Sequence, residues 1–194
     1  MRTIDQELVF FRERLCSEVG LSAEEVNKVA TLVAADIRFL PIAAKNEIKA
    51  LSPVPLIARI EELTAQHLFR QQAIATENNP AMQRAAVIAR NYVCFVYLKD
   101  ACFEVVSKYA SVGSVAARCT QYLSRGLVRD FRNAFSHANW HYNSSFTGVE
   151  CWVLEDARNR NSPLRYFQVS QNDLDFWQAL SLAIAYATYE QIRG

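Results

Sequence analysis

The chain has 194 residues, 51% of them apolar, with 21 basic and 20 acidic side chains. That length fits one compact domain over residues 1–194 with a substantial core. Five Gly and five Pro are too few for collagen-like, low-complexity or disordered chains, and few for an all-β fold. A net charge of +1 argues against a generic polybasic nucleic-acid binder but leaves room for a locally basic site.

The first residues, MRTIDQELVFFRER, mix charge with apolar residues and lack the continuous apolar core of a signal peptide. No apolar run reaches the about 18 residues needed to span a bilayer. The expectation is a soluble, cytoplasmic protein without membrane contact. Five cysteines, Cys16, Cys94, Cys102, Cys119 and Cys151, form no close pairs and read as reduced, mostly buried thiols.

Helical period dominates. Leu8, Phe11, Leu15 and Val19 mark a first helix over about 5–19. Gly20 interrupts the pattern, and Ser22 with Glu25 forms a capping box that opens a helix to about Phe39. Pro41 starts a short helix over 42–51. Ser52-Pro53-Val54-Pro55 is a turn separating N-terminal helices (1–52) from the rest of the bundle (55–194). A helix over 55–77 follows. Asn79-Pro80 opens an apolar helix to about Ala110, and Gly113-Ser114 starts another to about Trp140. Then the pattern changes. Phe146–Leu154 and Leu164–Val169 are short, aromatic and β-branched, and flank a polar turn, which predicts a β-hairpin over about 146–169. Ser170, with Asp173 three residues on, caps a last helix over 171–192. The predicted fold class is all-α: a multi-helix bundle with one β-hairpin before its last helix.

One segment carries chemistry. At 100° per residue from Leu123, Leu127, Phe131, Ala134 and Ala138 fall within roughly 20–80°, a buried stripe. Arg118, Arg125, Arg129 and Arg132 fall at roughly 180–240°, with Ser136 among them and His137 at one flank. This placement takes the helix as continuous through Gly126. Arginine without lysine suits bidentate phosphate contact. Residues 111–165 hold seven Arg and four acids, a net of +3, and the remainder nets −2. Charge is segregated along the chain.

Arg132-Asn133-Ala134-Phe135-Ser136-His137 resembles the signature of the HEPN superfamily: an arginine, a polar residue, then a histidine after four to six intervening positions. Ala138-Asn139-Trp140 resembles the continuation common in bacterial members. The likeness in architecture spans roughly 80–192, and it is sharp only over 129–140. It implies a HEPN-like bundle and a metal-independent endoribonuclease, with toxin–antitoxin or other defence roles and a neutralising antitoxin protein as partner. Under it, His137 is the acid or base that activates the 2′-OH of RNA, Arg132 stabilises the phosphorane, and Asn133 orients the histidine or a phosphate oxygen. Arg129, Arg125, Arg118, Ser136, Trp140 and His141 are the expected RNA contacts. The products implied are a 2′,3′-cyclic phosphate and a 5′-hydroxyl.

Arg132 and His137 are five residues apart, about 140° around an ideal helix. Either the helix ends near Ser136 and the chain turns, or the two meet across a two-fold dimer. The resemblance favours a homodimer with a composite site. A competing reading is a non-catalytic helical module that binds RNA, a nucleotide or a protein. His137 and His141, four apart, have zinc-pair spacing but no third ligand in nearby sequence. No metal and no cofactor are therefore expected. Trp140, Tyr142 and Phe146 are candidates both for base stacking and for anchoring the hairpin.

Overall fold

The computed structural model describes residues 4–34, 79–80 and 102–193. Within them lie six helices and a three-stranded antiparallel sheet. The helices are α1 (Ile4–Ser17), α2 (Ala23–Ala34), α3 (Glu104–Tyr109), α4 (Val115–Ser124), α5 (Gly126–Ser136) and α6 (Gln171–Arg193). The strands are β1 (Trp140–Tyr142), β2 (Gly148–Leu154) and β3 (Leu164–Ser170), in that spatial order. The fold is thus mixed rather than purely all-α. The expected hairpin is present as β2 and β3, and Trp140–Tyr142 joins it as a third strand instead of ending a helix. The helices expected over 42–51 and 55–77, and most of the one expected over 80–110, fall outside the described residues, as does Cys94.

Local signals set the helix starts. The Ser22 amide donates to Glu25 Oε2 at 2.8 Å and the Glu25 amide donates back to Ser22 Oγ at 3.3 Å. Ser114 caps α4 by accepting from the Ala117 amide at 3.2 Å. Ser170 and Asp173 form the same reciprocal cap at α6, at 3.0 and 3.3 Å. Each cap satisfies amides that the first helical turn leaves open.

The core joins Phe11, Leu15 and Val29 of α1 and α2 to Phe131 of α5 and Leu174, Trp177, Leu180 and Ile184 of α6. A paired charge bolts α1 to α6. Arg14 Nε donates to Glu18 at 2.5 Å, its Nη2 meets Asp173 at 2.9 Å, and its guanidinium lies over the Phe176 ring at 4.4 Å. Half-burial costs this cation hydration, and its two carboxylate partners offset that cost and raise its pKa. Cys119 and Cys151 are buried, and burial pushes both thiols up to about 12. They are therefore protonated packing groups. No helix among the described residues is long and apolar enough to cross a membrane.

The α4–α5 region departs from the expected single helix. Gly126 takes φ +53° and Arg125 is extended, so the helix breaks there. The break resets the rotational phase. Within α5 the buried residues are Val128, Phe131, Ala134 and Phe135, whereas Leu127 and Ala138 are exposed. The expected stripe was right at Phe131 and Ala134 and wrong at Leu127 and Ala138.

Two outcomes test this packing. A Cβ on Gly148 would stand 2.4 Å from the Val169 carbonyl oxygen, which is backbone and cannot swing aside. Gly148→Ala is expected to cost about 1–3 kcal/mol in a urea titration; an unchanged midpoint contradicts the register. Glu25 has a lowered pKa, first because the Ser22 amide donates to it, then through the Ser22 hydroxyl and Arg118 against a burial cost. Its contribution is full above an unfolded glutamate's pKa of 4.5 and fades as pH falls through the lower native value. Glu25→Gln should therefore remove part of the acid loss of stability followed by circular dichroism.

Candidate nucleic-acid site

The segment is shaped by the way α5 ends. His137 is the C-cap residue, with φ −103° and ψ 8°, and Ala138 follows in the left-handed region at φ +56°. The Asn139 amide donates to the Ala134 carbonyl at 2.8 Å and the Ala138 amide to the Phe135 carbonyl at 3.2 Å. This is a Schellman stop, with alanine where glycine is usual. The chain reverses and enters β1. Trp140 then returns onto Phe135, with rings parallel within 7° and 4.1 Å apart. Phe135 touches Phe131 at 4.4 Å, and Phe131 touches Trp177 at 5.5 Å. An aromatic chain thus runs from α6 through α5 into the sheet.

The side of α5 opposite this chain is polar. Counting from Phe131, Arg132, Ser136, Arg129 and Asn133 lie at roughly 100–200°. Arg129 and Ser136 are exposed, and Arg132 and Asn133 are half-buried. Arg132 Nη2 donates to Asn133 Oδ1 at 3.0 Å, and Ser136 Oγ donates to the Arg132 carbonyl at 2.9 Å. These bonds restrain the Arg132–Asn133 pair on the helix. His137 is exposed at the end of this face, and its imidazole makes no hydrogen bond or ion pair among the described residues. The helix stops where the first of the two sequence solutions required, yet no hydrogen bond links His137 to Arg132 within the chain.

The remaining expected contacts divide. Arg125 and Arg129 are exposed, and their guanidinium groups have no partner among the described residues. Arg118 is committed elsewhere. It donates to the Gly20 carbonyl at 2.8 Å and pairs with Glu25, tying α4 to the α1–α2 turn. The break at Gly126 separates it from the α5 face. Trp140 turns inward onto Phe135, and Tyr142 packs against its edge at 5.1 Å. His141 points to the other side of the sheet, with Nε2 3.5 Å from Glu150 and Nδ1 3.0 Å from the Tyr142 carbonyl. Among the described residues no group of three His, Cys, Asp or Glu could hold a metal ion.

A cleft of about 370 Å³ opens at the α4–α5 break, between Arg14, Glu18 and Tyr122 on one side and Arg125 and Leu127 on the other. Its polar floor is already internally satisfied. Trp177 Nε1 donates to the Tyr122 hydroxyl at 3.0 Å, and that hydroxyl donates to Glu18 at 2.5 Å. Burial, followed by the bond to Glu18, raises the Tyr122 pKa.

Sequence reasoning missed Trp152, Tyr166 and Glu150, which share the outer face of the sheet with His141 by strand register. Period-two alternation along Glu150-Cys151-Trp152-Val153 held the signal. No family model, curated protein or solved structure matches the chain.

Left-handed alanine costs about 1–2 kcal/mol relative to glycine in the same geometry, and glycine returns about 0.5–1 kcal/mol of that as entropy. Ala138→Gly is therefore expected to raise stability modestly in thermal unfolding. A clear loss of stability would contradict the helix stop at His137.

Proposed function

We propose that this protein is a HEPN-like, metal-independent endoribonuclease acting as a two-fold homodimer, of the kind used as a toxin or in defence under a neutralising partner protein. The observation that carries this reading is the end of α5. A restrained Arg132–Asn133 pair lies on the polar face of the last turns, and His137, exposed and without a partner among the described residues, caps the same end; Arg129 lies on that face and Arg125 at the helix start.

RNA carries its own nucleophile beside the scissile phosphorus. His137, as a neutral imidazole, takes the 2′-OH proton. The 2′ oxygen bonds to phosphorus, and the bond from phosphorus to the 5′ oxygen breaks. The 5′ oxygen leaves with a proton from solvent water. Arg132 offsets the charge that builds on the phosphorane oxygens, and Asn133 limits how the guanidinium turns. Arg125 and Arg129 hold neighbouring phosphates. A dimer would bring together Arg132 and His137, which lie about 140° apart around an ideal helix in their own chain. The charge pattern supports the same reading: of the seven arginines in 111–165, Arg125, Arg129, Arg158 and Arg160 are exposed and without acidic partners among the described residues.

The test is cleavage of labelled RNA in the presence of a chelator. Wild type should yield 2′,3′-cyclic phosphate and 5′-hydroxyl ends. His137→Ala should slow cleavage by about 10²–10⁴ and Arg132→Ala by about 10²–10³, with both variants folded. Arg129→Ala should weaken RNA binding and lower the salt dependence, a slope change of about 0.7. A wild type that cleaves no class of RNA, or variants as active as wild type, would sink the proposal. RNA binding without cleavage would favour a non-catalytic binding module.

A further inference from the structure

The sheet has two different faces. Val149, Cys151 and Val169 point inward and are buried. On the outer face, register places His141 beside Glu150, Glu150 beside Gln168, and Trp152 beside Tyr166. The His141 ring is 5.9 Å from the Trp152 ring, which is 6.3 Å from Tyr166. Three aromatic rings therefore form a row crossing all three strands. Tyr166 exposes 71% of its surface, and the His141 side chain 58%. Trp152 is half-buried between these two exposed rings, and its pairing with Tyr166 alone would suffice to pin the strands.

The geometry points to this row as a base-stacking platform for single-stranded RNA, separate from the α5 face. Every nucleobase has a π face, so a row of rings on an open sheet face, with His141 and Tyr166 exposed and Trp152 half-buried between them, takes successive bases without demanding a sequence. Glu150 and Gln168 lie beside the row on the same face. They offer a carboxylate acceptor and an amide to base edges, and the carboxylate disfavours phosphate there. Bases would thus face the sheet while the phosphates run along its rim. The rim next to Trp152 and Tyr166 is the loop between β2 and β3, which carries Arg158 and Arg160. Both are exposed and neither side chain has a partner among the described residues. At the other end His141 follows His137 by four residues, at most about 14 Å of extended chain. One strand of RNA can therefore leave the α5 corner, round the β1 edge and lie across the row. The platform rests on the reading that this protein acts on RNA, but it is read out by binding, independently of cleavage.

The experiment is a fluorescence-anisotropy titration of labelled oligouridylate and oligoadenylate with the full chain, in parallel with the cleavage assay. Wild type, Trp152→Ala, Tyr166→Ala and Val112→Ala are compared, each checked for folding by circular dichroism. Trp152→Leu is the second variant should alanine disturb the sheet. Trp152→Ala and Tyr166→Ala are each expected to weaken binding roughly 10- to 100-fold, and Val112→Ala, at an exposed position outside both faces, to leave it unchanged. Quenching of tryptophan fluorescence by the oligonucleotide should diminish in Trp152→Leu. Wild-type affinity in folded Trp152 and Tyr166 variants overturns the platform, even if wild type cleaves RNA. Loss of self-association in those variants with RNA affinity intact also overturns it, making the face a protein contact. Binding that depends on the row in a wild type that cleaves nothing supports the platform and overturns the nuclease.

Discussion

The reversal at Ala138 is the constraint on which the C-terminal half depends. A left-handed alanine costs about 1–2 kcal/mol, and the structure accepts that cost because of what the turn brings together. Two backbone bonds close the end of α5. The parallel contact of Trp140 with Phe135 contributes about 0.5–1.5 kcal/mol beyond its buried area. Trp140 also begins β1, so the same turn sets the sheet register on α5. Had the helix run on to Trp140, His137 would be one more position on a long amphipathic rod. Instead it stands at a corner, exposed, at the end of a polar face and at the edge of a sheet.

The arginines show how the same residue type serves different ends. Arg14 and Arg118 are paired with acids and join elements: α1 to α6, and α4 to the α1–α2 turn. Arg165 pairs with Asp130 and ties β3 to α5. Arg125, Arg129, Arg158 and Arg160 are exposed and lack such partners among the described residues. The net charge of +1 conceals this division. Cations matched by local acids brace the fold, and the unmatched ones gather near α5 and the β2–β3 loop. An RNA affinity built on them would be local and salt-sensitive.

Much of the framework was legible because its signals are chemical and short-range. Ser22, Ser114 and Ser170 start helices through oxygens that accept from nearby amides, and the first and last have an acid three residues on. The hairpin was legible from its aromatic and β-branched composition on either side of a polar turn. Two decisive features were not. A lone glycine is tolerated inside a helix, so Gly126 did not decide between a continuous helix and a break that resets the phase. Alanine is the best helix former, so Ala138 argued for continuation; the tertiary gain at Trp140 overrides it. Those two points explain why Leu127 and Ala138 were assigned to the core, why Arg118 was grouped with the α5 arginines, and why β1 was absent from the predicted fold. Arg132, Asn133, Arg129 and Ser136 remained on one face because all four lie between the two breaks.

The central claim is that Arg132 and His137 act together across a two-fold dimer. It is tested most directly by co-expressing Arg132→Ala and His137→Ala chains and measuring RNA cleavage by the mixed dimer. A site shared between protomers leaves one of its two copies with both residues intact. The mixture should therefore recover a substantial part of wild-type activity although each parent is inactive. A mixed dimer as inactive as its parents, beside an active wild type, would contradict the account.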